Sequence, residues 1–129
     1  MESVHFSEKE LSCRCGCGLN NVTPKLLALA EKVRSLLKEP MIVHCACRCK
    51  KHNADVGGSP TSKHLTGQAM DFHVNGMSPA ALYNTIVKAW HDGKLPLLGG
   101  IGLYNWGVHI DTMKAQDGHL RRWDYRKRR

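Results

Sequence analysis

The sequence predicts an α+β domain in which a small antiparallel sheet is flanked by helices. Three observations carry that prediction. Thr23-Pro24 and Ser78-Pro79 each pair a capping hydroxyl with a proline at the first helical position, and apolar residues follow at three- and four-residue spacing. Residues 69–74 and 106–111 alternate apolar with polar or small residues, which is the period of a half-buried strand. With 129 residues, 42% hydrophobic and 23% charged, the chain has material for one modest core, so a single domain over 1–129 is expected.

Each element has its own local reason. Phe6 to Leu11 reads as a short helix start, with Ser7 and Glu10 in capping-box positions and Phe6 with Leu11 as a hydrophobic staple. Cys13-Arg14-Cys15-Gly16-Cys17-Gly18 follows as a loop. The helix opened by Thr23-Pro24 places Leu26, Leu27, Ala30, Val33, Leu36 and Leu37 on one stripe and ends before Pro40. Met41 to Cys47 is apolar and reads as a strand. Lys50 to Asp55 reads as a short polar helix or turn, and Gly57-Gly58-Ser59-Pro60 then opens a flexible loop that carries His64. In 69–74, Met70, Phe72 and Val74 face the core while Ala69, Asp71 and His73 face away. The helix after Ser78-Pro79 carries Leu82, Ile86 and Trp90 and stops at Gly93. Gly99-Gly100-Ile101-Gly102 suggests a strand edge or a tight loop where backbone approaches something closely. In the last strand Trp106, Val108 and Ile110 share one face, with Trp106 expected in the core, and Gly107, His109 and Asp111 share the other. Trp123 is expected to pack near the wall of the site.

No run approaches the ~20 apolar residues of a membrane span, and Met1 to His5 lacks the basic and apolar regions of a signal peptide. Cytoplasmic synthesis is expected, with any outside action needing release by other means. The net charge is +8. Arg121, Arg122, Arg126, Lys127, Arg128 and Arg129 crowd the end, and we read about 121–129 as a solvated basic tail. Attraction to a polyanion is the functional alternative. Nucleic acid is disfavoured as a partner, because no aromatic platform or DNA-reading motif accompanies the charge. A monomer is expected.

The six cysteines form two runs, Cys13-Cys15-Cys17 and Cys45-Cys47-Cys49. Cytoplasmic synthesis disfavours disulfides. Residues two apart on a strand lie ~6.6 Å apart, whereas two thiolates on one zinc must come within ~3.8 Å, which a loop could manage more readily. Free thiols are therefore the favoured expectation, and a second, structural metal is the alternative.

Chemistry concentrates in two stretches. Ser62-Lys63-His64-Leu65-Thr66-Gly67-Gln68-Ala69-Met70-Asp71 holds an imidazole and a carboxylate seven positions apart, both good ligands for Zn²⁺. His109, on the polar face of the last strand, offers a third. Asp71 is flanked by Met70, Phe72 and Val74, and an unpaired carboxylate held there costs several kcal/mol, so a metal is a fitting partner. His73 shares the face of Asp71 and reads as a substrate-side or solvated residue, with a fourth ligand as the alternative.

Ser62-x-His64-x-x-Gly67-x-Ala69-x-Asp71 resembles the signature of the M15 peptidases, the zinc D-Ala-D-Ala carboxypeptidases and their endopeptidase relatives. Val108-His109-Ile110-Asp111 resembles the third-ligand strand of the branch that includes phage endolysins. Arg48, Asn53, Gly57 and Gly58, then Gly99-Gly100-Ile101-Gly102-x-Tyr104 and Arg122-Trp123, extend the likeness from about Phe6 to Trp123. The resemblance implies a hedgehog/D-Ala-D-Ala-peptidase-like fold with the zinc site on the sheet face. It implies that His64, Asp71 and His109 hold Zn²⁺, that Arg48 binds substrate or polarises the scissile carbonyl, and that Ser62 hydrogen-bonds the substrate. Zinc activates a bound water and polarises a carbonyl, and an Arg supplies a donor fork beside it.

One departure matters. Where many of these enzymes place an acidic or histidine base just before the last ligand, this chain has Trp106 and Gly107. Asp111, ~6–7 Å along the strand from His109, is the preferred replacement base, and a structural role holding His109 or Arg48 is its alternative. The function implied is zinc-dependent hydrolysis of a peptidoglycan stem-peptide or cross-link bond involving a D-amino acid. Action on the cell wall after release, as a phage or prophage lysin acts, fits the missing leader. A non-catalytic zinc-containing module that binds cell wall or ligand is the alternative.

Overall fold

The structure is a computed structural model that describes residues 2–127. Arg128 and Arg129, the end of the expected basic tail, lie outside the described residues. Five strands form one sheet in the order β1-β2-β4-β3-β5, with β1 Ile42–Cys45, β2 Ala69–His73, β3 Gly100–Leu103, β4 Val108–Asp111 and β5 Arg121–Asp124. Helices α1 Glu8–Leu11, α2 Pro24–Leu37, α3 Lys50–Asp55 and α4 Pro79–His91 complete the α+β architecture.

The helix starts follow the expected chemistry. Ser7 and Glu10 form a reciprocal capping box, and Phe6 and Leu11 are both buried beneath it. Thr23 Oγ1 accepts from the Leu26 N–H at 3.1 Å, and Ser78 Oγ from the Ala81 N–H at 3.1 Å. Leu26, Leu29, Ala30 and Val33 of α2 and Leu82, Ile86 and Ala89 of α4 join one core with Met70, Phe72, Ile101, Val108 and Ile110 of the sheet. Because strand side chains alternate, burying Met70 and Phe72 turns Asp71 to the other face of the sheet.

Two expectations about the sheet need correction. It is mixed and not antiparallel throughout, because β5 pairs parallel to β3, with Gly100 opposite Arg121 and Gly102 opposite Trp123. The residues read as the start of a basic tail are therefore a strand, and β3 lies inside the sheet. The glycines of β3 do mark close approach. A Cβ at Gly100 would lie 2.5 Å from Arg121 Nη1, and one at Gly102 would lie 2.2 Å from Trp123 Nε1. Small residues on β3 thus leave room for two large β5 side chains to lie across the sheet face.

Trp106 is the second correction. It is 40% exposed and belongs to the turn between β3 and β4, not to the core. The Tyr104 N–H donates to the Gly107 carbonyl at 2.9 Å, closing the turn, and a Cβ at Gly107 would lie 2.3 Å from the Phe72 carbonyl oxygen. The strand alternation therefore starts at Val108. Among the described residues no helix is long and apolar enough to cross a membrane.

Candidate active site

The register of two strands brings the chemistry together. Asp71 on β2 and His109 on β4 are direct antiparallel partners, so their side chains leave the same face of the sheet side by side. His64 arrives from a 3-10 helix, Lys63–Thr66, where a flexible loop was expected. Ser62 Oγ accepts from the His64 N–H at 3.3 Å, and the His64 carbonyl accepts from the Arg48 N–H at 3.0 Å. Gly67, at φ 68, ends this turn, and a Cβ there would meet the Asn21 carbonyl oxygen at 2.0 Å. His64 is only 2% exposed.

Three ligand atoms converge. Asp71 Oδ1 lies 3.1 Å from His64 Nε2 and 2.9 Å from His109 Nδ1. The far nitrogen of each imidazole is already engaged. His109 Nε2 is 2.9 Å from Asp111 Oδ2, a carboxylate and hence an acceptor, so the proton belongs on Nε2. His64 Nδ1 is 3.5 Å from Cys45 Sγ, and the Cys45 thiol itself points to the Cys47 carbonyl at 3.7 Å. That leaves the sulfur to accept from His64 Nδ1–H. His109 Nδ1, as an N–H, donates to Asp71 Oδ1 at 2.9 Å, and giving up that proton would free its lone pair for a cation beside Asp71. Although His64 Nε2 is close to Asp71, the pair is misaligned for a hydrogen bond, and this buried nitrogen has no hydrogen-bond partner.

Such an arrangement attracts positive charge. Burial works against the His64 imidazolium, but Asp71 and Cys45 outweigh it and push its pKa up to about 10. Burial likewise opposes charge on His109, and the bonds to Asp111 and Asp71 overcome it, raising its pKa. Burial would raise Asp71, yet His109 and His64 hold its carboxyl well below the usual carboxylate range. The donor set of two imidazoles and a carboxylate with an orphaned buried nitrogen fits a divalent cation of the zinc type.

Asp111 is fully buried. Its Oδ1 accepts from Arg121 Nη1 at 2.7 Å and from the Met113 N–H at 3.0 Å. Its Oδ2 faces His109 Nε2 at 2.9 Å and Arg121 Nη2 at 3.4 Å. Burial would raise its pKa, and His109 and Arg121 together lower it. Arg121 is a site residue that the tail reading missed. The signal was present in Arg121-x-Trp123, a period-two pair that puts both side chains on one strand face.

The cluster lies in a cleft of about 720 Å³. Arg48, Ser62, Lys63, Tyr104, Trp106 and Trp123 line it with the three convergent residues. Arg48 is held by two bonds, Nη1 to Asn53 Oδ1 at 3.0 Å and Nε to Cys45 Sγ at 3.3 Å. Gly58 permits this: a Cβ there would lie 2.2 Å from Asn53 Oδ1 and 2.5 Å from Arg48 Nη1. Trp106 stacks on Tyr104 at 5.0 Å, and Trp123 Nε1 donates to Tyr104 Oη at 2.9 Å. His73 lies apart from the triad, with Nδ1 2.6 Å from His44 Nε2 and Nε2 3.1 Å from Asn75 Oδ1. A bulge in β1 makes the His44 contact possible, since Val43 pairs with Phe72 but Cys45 pairs with Asp71.

No curated protein matches the chain. The family model described as Peptidase M15 matches residues 4–111, which include Arg48, Ser62 and all three convergent residues. The match takes in most of the length, and the residues inside it form a two-histidine, one-carboxylate cluster at the floor of a cleft. The chain therefore belongs to the M15 peptidases, metallopeptidases that typically depend on zinc.

Proposed function

We propose that the chain hydrolyses a peptidoglycan stem-peptide or cross-link bond involving a D-amino acid, with zinc held by His64, Asp71 and His109. The observation that carries this is the convergence of His64 Nε2, Asp71 Oδ1 and His109 Nδ1 at the floor of an open cleft. Zinc bound there supplies Lewis acidity toward a carbonyl and acidifies a water. Three protein ligands leave room for both, as catalytic sites do and structural sites do not.

The surrounding side chains suit a peptide that carries a carboxylate. Arg48, Lys63 and Arg121 line the cleft beside only two acids, Asp71 and Asp111, among its described lining residues. Arg48 uses Nη1 and Nε on Asn53 and Cys45, which fixes the guanidinium and leaves Nη2 for a substrate oxygen. Ser62 Oγ accepts from the His64 N–H, so its own proton is left to donate to substrate. Tyr104, Trp106 and Trp123 form an aromatic wall for the apolar parts of the peptide. The +8 charge favours an anionic cell-wall polymer over a neutral surface. Action after release, as by a phage or prophage lysin, is the biological setting proposed.

For Asp111 we favour the positioning role over the base. Both of its oxygens are occupied, and it meets His109 on Nε2, the nitrogen opposite the one that faces Asp71. It thereby fixes the tautomer that frees Nδ1 for metal and raises the basicity of the ring.

Incubation of the zinc-loaded protein with purified sacculi and synthetic muropeptides, followed by mass spectrometry of the new ends, tests the proposal. A cut that chelator stops and zinc restores is expected. Intact, zinc-bound protein that cleaves no muropeptide yet sediments with sacculi would replace the enzyme by the non-catalytic binding module.

A further inference from the structure

The six cysteines separate by environment. Cys47 is buried and its thiol donates to the Leu11 and Leu19 carbonyls at 3.3 and 3.2 Å. Cys45 serves His64 and Arg48. The other four, Cys13, Cys15, Cys17 and Cys49, meet at a separate place, with all four sulfurs within 4.8 Å of one another. Cys13 Sγ is 3.5 Å from Cys15 Sγ, and Cys15 Sγ is 3.7 Å from Cys49 Sγ. Thiolates at the corners of a zinc tetrahedron, with bonds of ~2.3 Å, stand ~3.8 Å apart.

The backbone is arranged for this meeting. Gly16 and Gly18 both take positive φ, 83 and 84, and fold the segment that carries three of the cysteines back on itself. The Cys13 N–H donates to the Leu19 carbonyl at 2.8 Å and closes the loop. Two backbone donors point at sulfur: the Cys49 N–H to Cys13 Sγ and the His52 N–H to Cys49 Sγ, each at 3.4 Å. The wide separation of residues two apart on an extended strand does not apply in this loop.

We propose that Cys13, Cys15, Cys17 and Cys49 hold a second zinc ion in a closed, four-thiolate structural site. The donor set contains only sulfur, which selects a thiophilic ion with tetrahedral preference. Binding displaces the remaining thiol protons to solvent. The site ties the N-terminal segment to Cys49, the residue between Arg48 and α3, and α3 carries the Asn53 that holds the Arg48 guanidinium. The ion thus braces the wall of the cleft without touching it. The proposal stands apart from the peptidase reading, since it uses none of the same ligands.

Metal analysis of the full chain, purified under reducing conditions, tests it. Two zinc ions per wild-type chain are expected, falling to one in Cys15→Ser, Cys17→Ser or His109→Ala. After exchange with cobalt, sulfur-to-cobalt charge-transfer absorption in the near ultraviolet is expected in the wild type, in His109→Ala and in Cys47→Ala, and is lost in Cys15→Ser. The His109→Ala result distinguishes the two sites, because failure of the cleft site leaves the thiolate spectrum unchanged. Wild-type protein without charge-transfer absorption overturns the proposal. So does iron in place of zinc, or a disulfide among the four cysteines in freshly isolated protein mapped without reductant.

Discussion

His64, Asp71 and His109 stand at the floor of a cleft on neighbouring strands and a 3-10 turn, whereas Cys13, Cys15, Cys17 and Cys49 lie outside every helix and strand. In the first cluster the fold itself sets the spacing of the three side chains. The β2–β4 ladder fixes Asp71 opposite His109, and Arg48 and Ser62 fix the turn that carries His64. In the second, a glycine-rich loop carries Cys13, Cys15 and Cys17 to Cys49, and the proposed ion would cross-link the two segments. If both proposals hold, the difference is that between a site built to use a metal and one built to be held by it. Stability and activity should therefore separate between the two.

The largest effect expected is on activity from the first cluster. Asp71→Asn removes the one anionic ligand, and the loss of several kcal/mol of transition-state charge stabilisation corresponds to a fall on the order of 10³-fold or more in turnover. Zinc at the four thiols should remain. Muropeptide hydrolysis together with metal stoichiometry reads both at once. Turnover within tenfold of wild type would remove Asp71 from the metal site.

Cys17→Ser should do the reverse. A clip between Cys17 and Cys49 closes a loop of roughly thirty residues, and opening it costs about 4 kcal/mol by chain-entropy arguments. The urea midpoint should fall accordingly, with turnover at saturating zinc changed only a few-fold. Equal losses of turnover in Cys17→Ser and Asp71→Asn would collapse the distinction between the clusters.

Asp111→Asn sharpens the first site further. If Asp111 orients His109, zinc affinity falls about 10- to 100-fold, as for other groups that buttress a metal ligand, and excess zinc restores most of the turnover. If Asp111 is the base, zinc content stays near wild type and turnover is lost at every zinc concentration. A zinc titration of activity therefore decides between the two roles.

Most of this architecture can be read from local pattern because local physics dictates it. Ser7, Thr23 and Ser78 announce their helices through the cap they must supply, and Met70 and Phe72 set the facing of Asp71 through the two-residue period of a strand. The α+β class followed from these. What escaped depends on residues far apart in sequence. Arg121-Arg122-Trp123 reads as a charged tail until β3 lies alongside it, and only then do Gly100 and Gly102 explain where the Arg121 and Trp123 side chains go. The partner of Asp111 was hidden for the same reason. The meeting of Cys13, Cys15 and Cys17 with Cys49 escaped because it depends on backbone conformation, the positive φ of Gly16 and Gly18, which spacing along an extended strand does not anticipate.

Trp106 offers the smallest and most discriminating test. Its place in an alternating stretch made it a core residue, and truncating a buried Trp costs about 3–5 kcal/mol. In the structure Gly107 ends the turn before β4 begins, and the indole lies half in solvent against Tyr104 and His44. Trp106→Ala should then lose only an aromatic pair and cost about 1 kcal/mol in the unfolding free energy. If the ring is part of the substrate wall, KM should rise about 5- to 10-fold with kcat unchanged, the pattern of contacts made equally in the ground and transition states. Destabilisation by several kcal/mol would return Trp106 to the core. An unchanged KM would remove the ring from the substrate wall and leave Tyr104 and Trp123 as its aromatic surface.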